Sequence, residues 1–297
     1  MLAGKINSSP RLKGDLTMTY HTILAVYSTQ ADVAPLTSAI ADFAAGKEMH
    51  LIGCHGEPSQ FVVLSAPIDV PDAATIAALY EQADLRMREV GDAFDKACET
   101  AGLSHEWRPV RSPGGDSAIS ALVSARSADL VVVRQPDRSA NEDMATNVEA
   151  LLFEGGRPVL FLPSNGKLAT PIKRILIAWD GSREAARATH DALPLLKAAE
   201  AVEIVVVDAD KLPDIDAPLA GTDIASCLSR HGIHANVTTV SKGSGSTAEA
   251  ISAQATASNA DLVVMGAYTH QRLREWLFGG VTRAFLENSP VPVLMSR

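Results

Sequence analysis

Three glycines near the C-terminal end stand where glycine has a cost. Gly266 closes an apolar run, and Gly279-Gly280 open or interrupt a helical pattern that continues Val281-Thr282. A glycine inside a helix costs about 1 kcal/mol against alanine, so the pair asks for a reason. One reason is chemical: bare N–H groups at a helix start, with the Thr282 hydroxyl beside them, can receive phosphate oxygens. The competing reason is structural, a kink or a close contact between helix and sheet. Asp180, in Ala178-Trp179-Asp180-Gly181-Ser182, could accept from a sugar hydroxyl or a base amine. The same segment reads as a helix cap, with Glu184 in the first turn. Ser241-Lys242-Gly243-Ser244-Gly245-Ser246-Thr247 offers amides to an anion ahead of a helix. It also reads as a plain turn capped by Ser246 or Thr247. His270, Arg272 and Arg274 could reach phosphates or form a solvated basic face.

Other chemistries find less support. His50, Cys54 and His55 cluster, but no second ligand pair has zinc spacing, so core or solvent positions are expected. His231 and His234 read as a solvated pair at a helix–strand junction. No Ser-His-Asp or Cys-His order can be defended. There is no P-loop lysine motif and no paired acidic metal site, which argues against efficient phosphoryl transfer. Ser112-Pro113-Gly114-Gly115-Asp116-Ser117 reads as a turn and cap.

These residues need a frame, and an internal repeat supplies it. Ala118-Ile119-Ser120-Ala121 through Ala128-Asp129-Leu130-Val131-Val132 matches Ala250-Ile251-Ser252-Ala253 through Ala260-Asp261-Leu262-Val263-Val264 without a gap. Each copy alternates short apolar strands with helices. In the first, strands are expected at Thr22–Tyr27, Met49–Cys54, His105–Val110, Leu130–Val133 and Pro158–Leu162. In the second they fall at Arg174–Trp179, Val202–Val207, His234–Val240, Leu262–Met265 and Val291–Met295. Helices are expected at Ala31–Ala45, from Pro71-Asp72 to Ala101, at Ser117–Arg126 and at Asn141–Phe153. The second copy should hold helices at Ser182–Ala199, Leu219–Arg230, Ala248–Ser258 and Arg272–Glu287.

The fold class this implies is α/β: two tandem Rossmann-like domains, each a five-stranded parallel sheet with helices on both faces. The domains are expected at 20–165 and 170–297, with Pro163-Ser164-Asn165-Gly166-Lys167 as linker. Ligands of such sheets bind at the carboxyl ends of the strands, where Asp180, Gly243 and Gly266 fall. The copies part there: Arg134 stands opposite Gly266, Ser28 opposite Asp180, and the late glycines have no first-copy counterpart. The first copy therefore reads as a degenerate partner. The two closing strands are short and apolar, and such edges want a partner. An intramolecular pseudo-dimer of the halves is expected, with a homodimer left open.

Composition narrows the class. Of 297 residues, 46% are hydrophobic and 21% charged, the range of globular proteins. A net charge of −9 argues against coating nucleic acid or anionic membrane. Three scattered cysteines fit a reducing compartment, the cytoplasm. No apolar run is long enough to span a bilayer. Residues 1–19 are expected to be a loose tail, with Met18 a candidate for the true start.

Val264-Met265-Gly266-x2-Thr269-x9-Gly279-Gly280-Val281-Thr282, followed by Asn288-Ser289-Pro290-Val291-Pro292-Val293-Leu294, resembles the nucleotide motif and closing strand of the universal stress protein family. That motif is Gly-x2-Gly-x9-Gly-(Ser/Thr). Here Thr269 stands at its second glycine and Gly280 at its hydroxyl residue. Ile175-Leu176-Ile177-Ala178-Trp179-Asp180-Gly181-Ser182 and the third-strand exit at Gly243 are similar to that family too. The resemblance implies a five-stranded α/β fold, often dimeric through the last strand, and in many members a bound ATP. Carried onto this chain, Asp180, with Ala178 and Trp179 beside it, would face the adenosine. Met265 and Gly266 would line the base and ribose, and Gly279, Gly280, Val281 and Thr282 would hold the phosphates, with Gly243, Thr269 and His270 adjoining. The function implied is a stress-response protein that binds ATP, with its magnesium, in the second half and is regulatory. A slow ATPase and a ligand-free interaction protein are the alternatives.

Overall fold

The computed structural model describes residues 19–44, 48–59, 72–135, 147–163, 168–212, 219–267 and 280–297. The first half runs β1 (Thr22–Val26), α1 (Gln30–Ala44), β2 (His50–Pro58), α2 (Ala73–Ala101), β3 (Ser104–Ser112), α3 (Ser117–Ala125), β4 (Leu130–Arg134), α4 (Val148–Glu154) and β5 (Val159–Leu162). The second runs β6 (Arg174–Ala178), α5 (Arg183–Asp191), α6 (Leu193–Ala198), β7 (Ala201–Val207), α7 (Thr222–Arg230), β8 (Ala235–Val240), α8 (Thr247–Ala257), β9 (Leu262–Gly266), α9 (Gly280–Glu287) and β10 (Val293–Ser296). The expected tail, except Thr19, lies outside the described residues, as do 164–167 of the linker and the expected helix starts at Asn141 and Arg272.

The strands form one ten-stranded sheet in the order β3-β2-β1-β4-β5-β10-β9-β6-β7-β8. Each half thus contributes the same order, third-second-first-fourth-fifth, and its strands run parallel. This is the tandem Rossmann-like α/β architecture. The halves meet where β5 and β10 pair antiparallel, Val293 opposite Phe161 and Met295 opposite Val159. All the paired residues of that seam are buried. Two side-chain bonds reinforce it: Tyr20 donates to the Asp191 carbonyl at 2.7 Å, and Gln135 Nε2 donates to the buried Phe285 carbonyl at 2.7 Å.

The pleat divides each apolar strand between two cores. Ile23, Leu51, Val132, Ile175, Ile177 and Val264 face a layer containing α1, α2, α5, α6 and α7. Leu24, Val26, Val131, Leu176 and Val263 face α3, α4, α8 and α9. Both cores run unbroken across the seam. The aspartate of the repeat has a structural task in each half. Asp129 Oδ2 accepts from the N–H groups of His21 and Thr22, and Asp261 Oδ2 from those of Lys173 and Arg174. Each ties a fourth strand to the start of a first strand.

Several boundaries differ from the sequence expectation. β2 and β3 pair on through Pro58 and Ser112. Pro58 is the last residue of its strand, and Pro109 lies on an edge strand, positions where a missing N–H is tolerated. The helix expected over Ser182–Ala199 is two helices, α5 and α6, meeting at Ala192 with Pro194 in the first turn of the second. Asp72 and Asp116 are N-caps, accepting from Thr75 and Ile119, and Cys54 lies wholly buried within β2.

Candidate functional site

The chain order reverses between β9 and β6: β6 leads to β7 on one side, while β9 lies on the other. Loops leaving such a point diverge and leave a crevice at the carboxyl ends of the strands. A cavity of about 280 Å³ opens there, near the lower end of the roughly 300–1,000 Å³ of small-ligand sites. Ala178, Val205, Val207, Ile251, Leu212 and Met265 give it an apolar lining. Polar groups come from Asp180 after β6, Asp208 and Lys211 after β7, Lys242 after β8 and Thr247 at the start of α8. Trp179, Gly266 and the α9 segment Gly280-Val281-Thr282 complete the wall.

Eight of the residues singled out from sequence therefore converge: Ala178, Trp179, Asp180, Met265, Gly266, Gly280, Val281 and Thr282. Thr269, His270 and Gly279 lie outside the described residues. Gly243 takes a left-handed φ of 56° in the β8–α8 turn, and its neighbour Lys242, not Gly243 itself, lines the cavity. Ser246 caps α8 in a reciprocal box with Glu249.

The cap expected of Asp180 belongs to another residue. Ser182 accepts from Ala185 N–H as the N-cap of α5, while Asp180 Oδ1 accepts from Ser182 N–H at 3.0 Å. That bond fixes the Asp180 carboxylate at the cavity wall. The glycines also separate. A Cβ on Gly266 would lie 2.5 Å from Ala185 N and 2.6 Å from the Glu184 carbonyl carbon, so β9 abuts the first turn of α5 and only glycine fits. Among the described residues, a Cβ on Gly280 would meet nothing within 4 Å. Close packing against the described residues therefore does not account for Gly280.

Sequence reading missed the exit of β7. Asp208 holds a left-handed φ of 48° with its side chain only 8% exposed. Its carboxylate accepts from Lys211 Nζ at 2.9 Å and from Lys242 N–H at 3.1 Å, with Lys242 Nζ at 3.9 Å. Lys211 foremost, and then the Lys242 amide, hold the Asp208 carboxyl below the usual range, and Asp208 in turn raises Lys211. Two ammonium groups are thereby held at the cavity. The available signal was position: Asp208 follows an apolar strand, as Asp180 does. Among the described residues no three His, Cys, Asp or Glu side chains gather as a metal site would require.

The same place in the first half is differently filled. Arg134 ends β4 as Gly266 ends β9, and its Nη1 donates to Asp32 Oδ1 at 2.9 Å. Thr22 pairs with His50 and Arg174 with Ala201, so by register Glu57 falls where Asp208 falls. Glu57 is buried and takes two hydrogen bonds from Arg86, at 2.8 and 2.7 Å, with His55 Nε2 at 3.3 Å. His55 Nδ1 lies 2.9 Å from the Tyr27 carbonyl and 3.4 Å from Ser117 Oγ. Burial alone would raise the Glu57 carboxyl, but the bonds from Arg86 and His55 outweigh it and bring it down to about 2.

Residues 171–297 match the profile of the Universal stress protein family. The second half of the chain belongs to the universal stress protein family. Among solved structures, a universal stress protein from Archaeoglobus fulgidus DSM 4304 aligns over 94% of this chain and 99% of its own, at 18% identity and a TM-score of 0.62. A functionally unknown protein from Pseudomonas aeruginosa PAO1 aligns over 95% of this chain and 94% of its own, at 14% identity and a TM-score of 0.54. At these identities the likeness is one of fold, and it extends through both halves. No curated protein matches the sequence. The cavity lies wholly within the universal stress protein domain. Among the described residues no helix is long and apolar enough to cross a membrane.

Proposed function

We propose that this chain is a stress-response protein that binds an adenine nucleotide, ATP, in the cavity of its second half. One observation carries the reading. Asp180, Gly266 and Gly280-Val281-Thr282, distant in sequence, line one cavity at the point where strand order reverses. Its chemistry suits the ligand. The apolar lining can take a base, and Asp180 can accept from a ribose hydroxyl. The Gly280 backbone, the Thr282 hydroxyl and the cavity lysines suit the phosphates of magnesium-ATP. We read the role as regulatory rather than catalytic. The first half serves as a structural partner across the β5–β10 seam, in an intramolecular pseudo-dimer working in the cytoplasm.

Native mass spectrometry of freshly purified full-length protein tests the reading. One adenine nucleotide per chain is expected, with negligible phosphate release in a turnover assay. A protein that carries none, and binds none when ATP is added, would leave it an interaction protein. Steady release would make it a slow ATPase.

A further inference from the structure

The three cysteines occupy two kinds of surroundings. Cys54 in β2 and Cys98 in α2 are wholly buried. Burial pushes each thiol up to about 12, where the nucleophilic thiolate is scarce and reagents have no access. Cys227 in α7 is only partly buried. One side of it packs on the core beneath α5 and α7. Its Sγ lies 4.0 Å from His190 Nε2, which belongs to the exposed last turn of α5.

The tautomer of His190 is fixed by its second bond. Nδ1 lies 2.8 Å from the Ala186 carbonyl, and a carbonyl can only accept, so Nδ1 carries the hydrogen. In the neutral ring Nε2 then presents its lone pair to the thiol. A nucleophile, a base within reach and a third group orienting the base form the arrangement by which cysteines are activated. It lies on α5 and α7, whereas the cavity residues of this half lie in other segments. Neither Cys227 nor His190 lines that cavity.

We propose that Cys227 is a peroxide-reactive thiol and His190 its base. The Cys227 proton passes to His190 Nε2, and the sulfur attacks the terminal oxygen of a hydroperoxide. The S–O bond forms as the O–O bond breaks, and the departing alkoxide, or hydroxide, takes the proton back from His190. Sulfur is oxidised to sulfenic acid, and the peroxide is reduced to an alcohol or to water. The sulfenic acid is reversible by thiols, which makes the site a redox mark on the outer face of the second half. The inference is independent of nucleotide binding.

The test uses the full-length reduced protein, hydrogen peroxide as oxidant, and a dimedone-type trap for sulfenic acid read by peptide mass spectrometry. Label is expected at Cys227, with Cys54 and Cys98 unlabelled while the protein stays folded. Base catalysis through a well-made hydrogen bond is typically worth about 10²–10⁴-fold, and the 4.0 Å contact sets this pair below that range. His190→Asn is therefore expected to slow labelling and iodoacetamide alkylation of Cys227 by about tenfold or more. His190 is exposed, so the variant is expected to keep the parent's melting temperature. Cys227→Ser should abolish the label. Equal labelling of all three cysteines, or a folded His190→Asn variant reacting as fast as the parent, would overturn the proposal.

Discussion

Replacing Glu57 by glutamine should remove the electrostatic centre of the first half, and the cost should depend on pH in a definite way. The Glu57 side chain is 6% exposed and is held by Arg86 and His55. Its carboxyl moves from an ordinary 4.5 to about 2 on folding. At about 1.4 kcal/mol per pKa unit, the linked stabilisation has a ceiling of about 3 kcal/mol. Arg86 is 48% exposed, so water screens that arm and about half the ceiling is expected, about 1.5 kcal/mol. Because the folded carboxyl titrates below the unfolded one, this stabilisation is complete above about pH 4.5 and is lost as pH falls toward about 2. Urea unfolding of the parent and Glu57→Gln should show the parent ahead by about 1.5–3 kcal/mol at about pH 6. The gap should narrow by about 1 kcal/mol or more at about pH 3. Subtracting one protein from the other cancels the remaining carboxylates. A gap that is the same at both pH values, or absent at both, would refute the assignment of Glu57 as a buried ionic hub.

Gly266→Ala would place a methyl group against the Ala185 and Glu184 backbone, so β9 and α5 must part; a loss of about 1–3 kcal/mol is expected in urea unfolding. Parity with the parent would mean that the two elements do not touch there. Ser296 Oγ is buried with no hydrogen-bond partner among the described residues, so Ser296→Ala should be neutral or stabilising by up to about 1 kcal/mol in thermal unfolding. A clear loss would reveal an acceptor or donor beside it. Asp129→Ala and Asp261→Ala each strip an acceptor from two backbone N–H groups and should each cost about 1 kcal/mol. A large effect in one half and none in the other would break their equivalence.

The architecture was legible because it rests on burial. Apolar runs such as Leu130–Val133 and Leu262–Met265 are buried on both faces, and a strand covered twice has no polar alternation to obscure it. Strand ends were less legible than strand centres. The strand expected to stop at Cys54 runs on to Pro58, paired with its neighbour along its full length. Half the site was legible for a related reason: glycine and aspartate directly after a strand are unusual enough to mark an exit. Asp208 escaped because its value lies in Lys211 and Lys242, which reach it through tertiary structure. Asp180 and Ser182 could not be separated as caps from sequence, since either side chain can accept an amide at a helix start. Nor did sequence separate the two reasons for glycine. Gly266 is held by packing, while a Cβ on Gly280 would meet no described residue.

Gly280 gives the most direct test of nucleotide binding. Gly280→Val would put a branched side chain there whose Cβ meets no described residue within 4 Å, so the fold should survive while phosphate approach is blocked. Isothermal calorimetry with magnesium-ATP on the parent and on Gly280→Val should give one site per chain for the parent and at least about tenfold weaker binding for the folded variant, about 1.4 kcal/mol. Equal affinity in the two proteins, or no heat from either, would contradict the account.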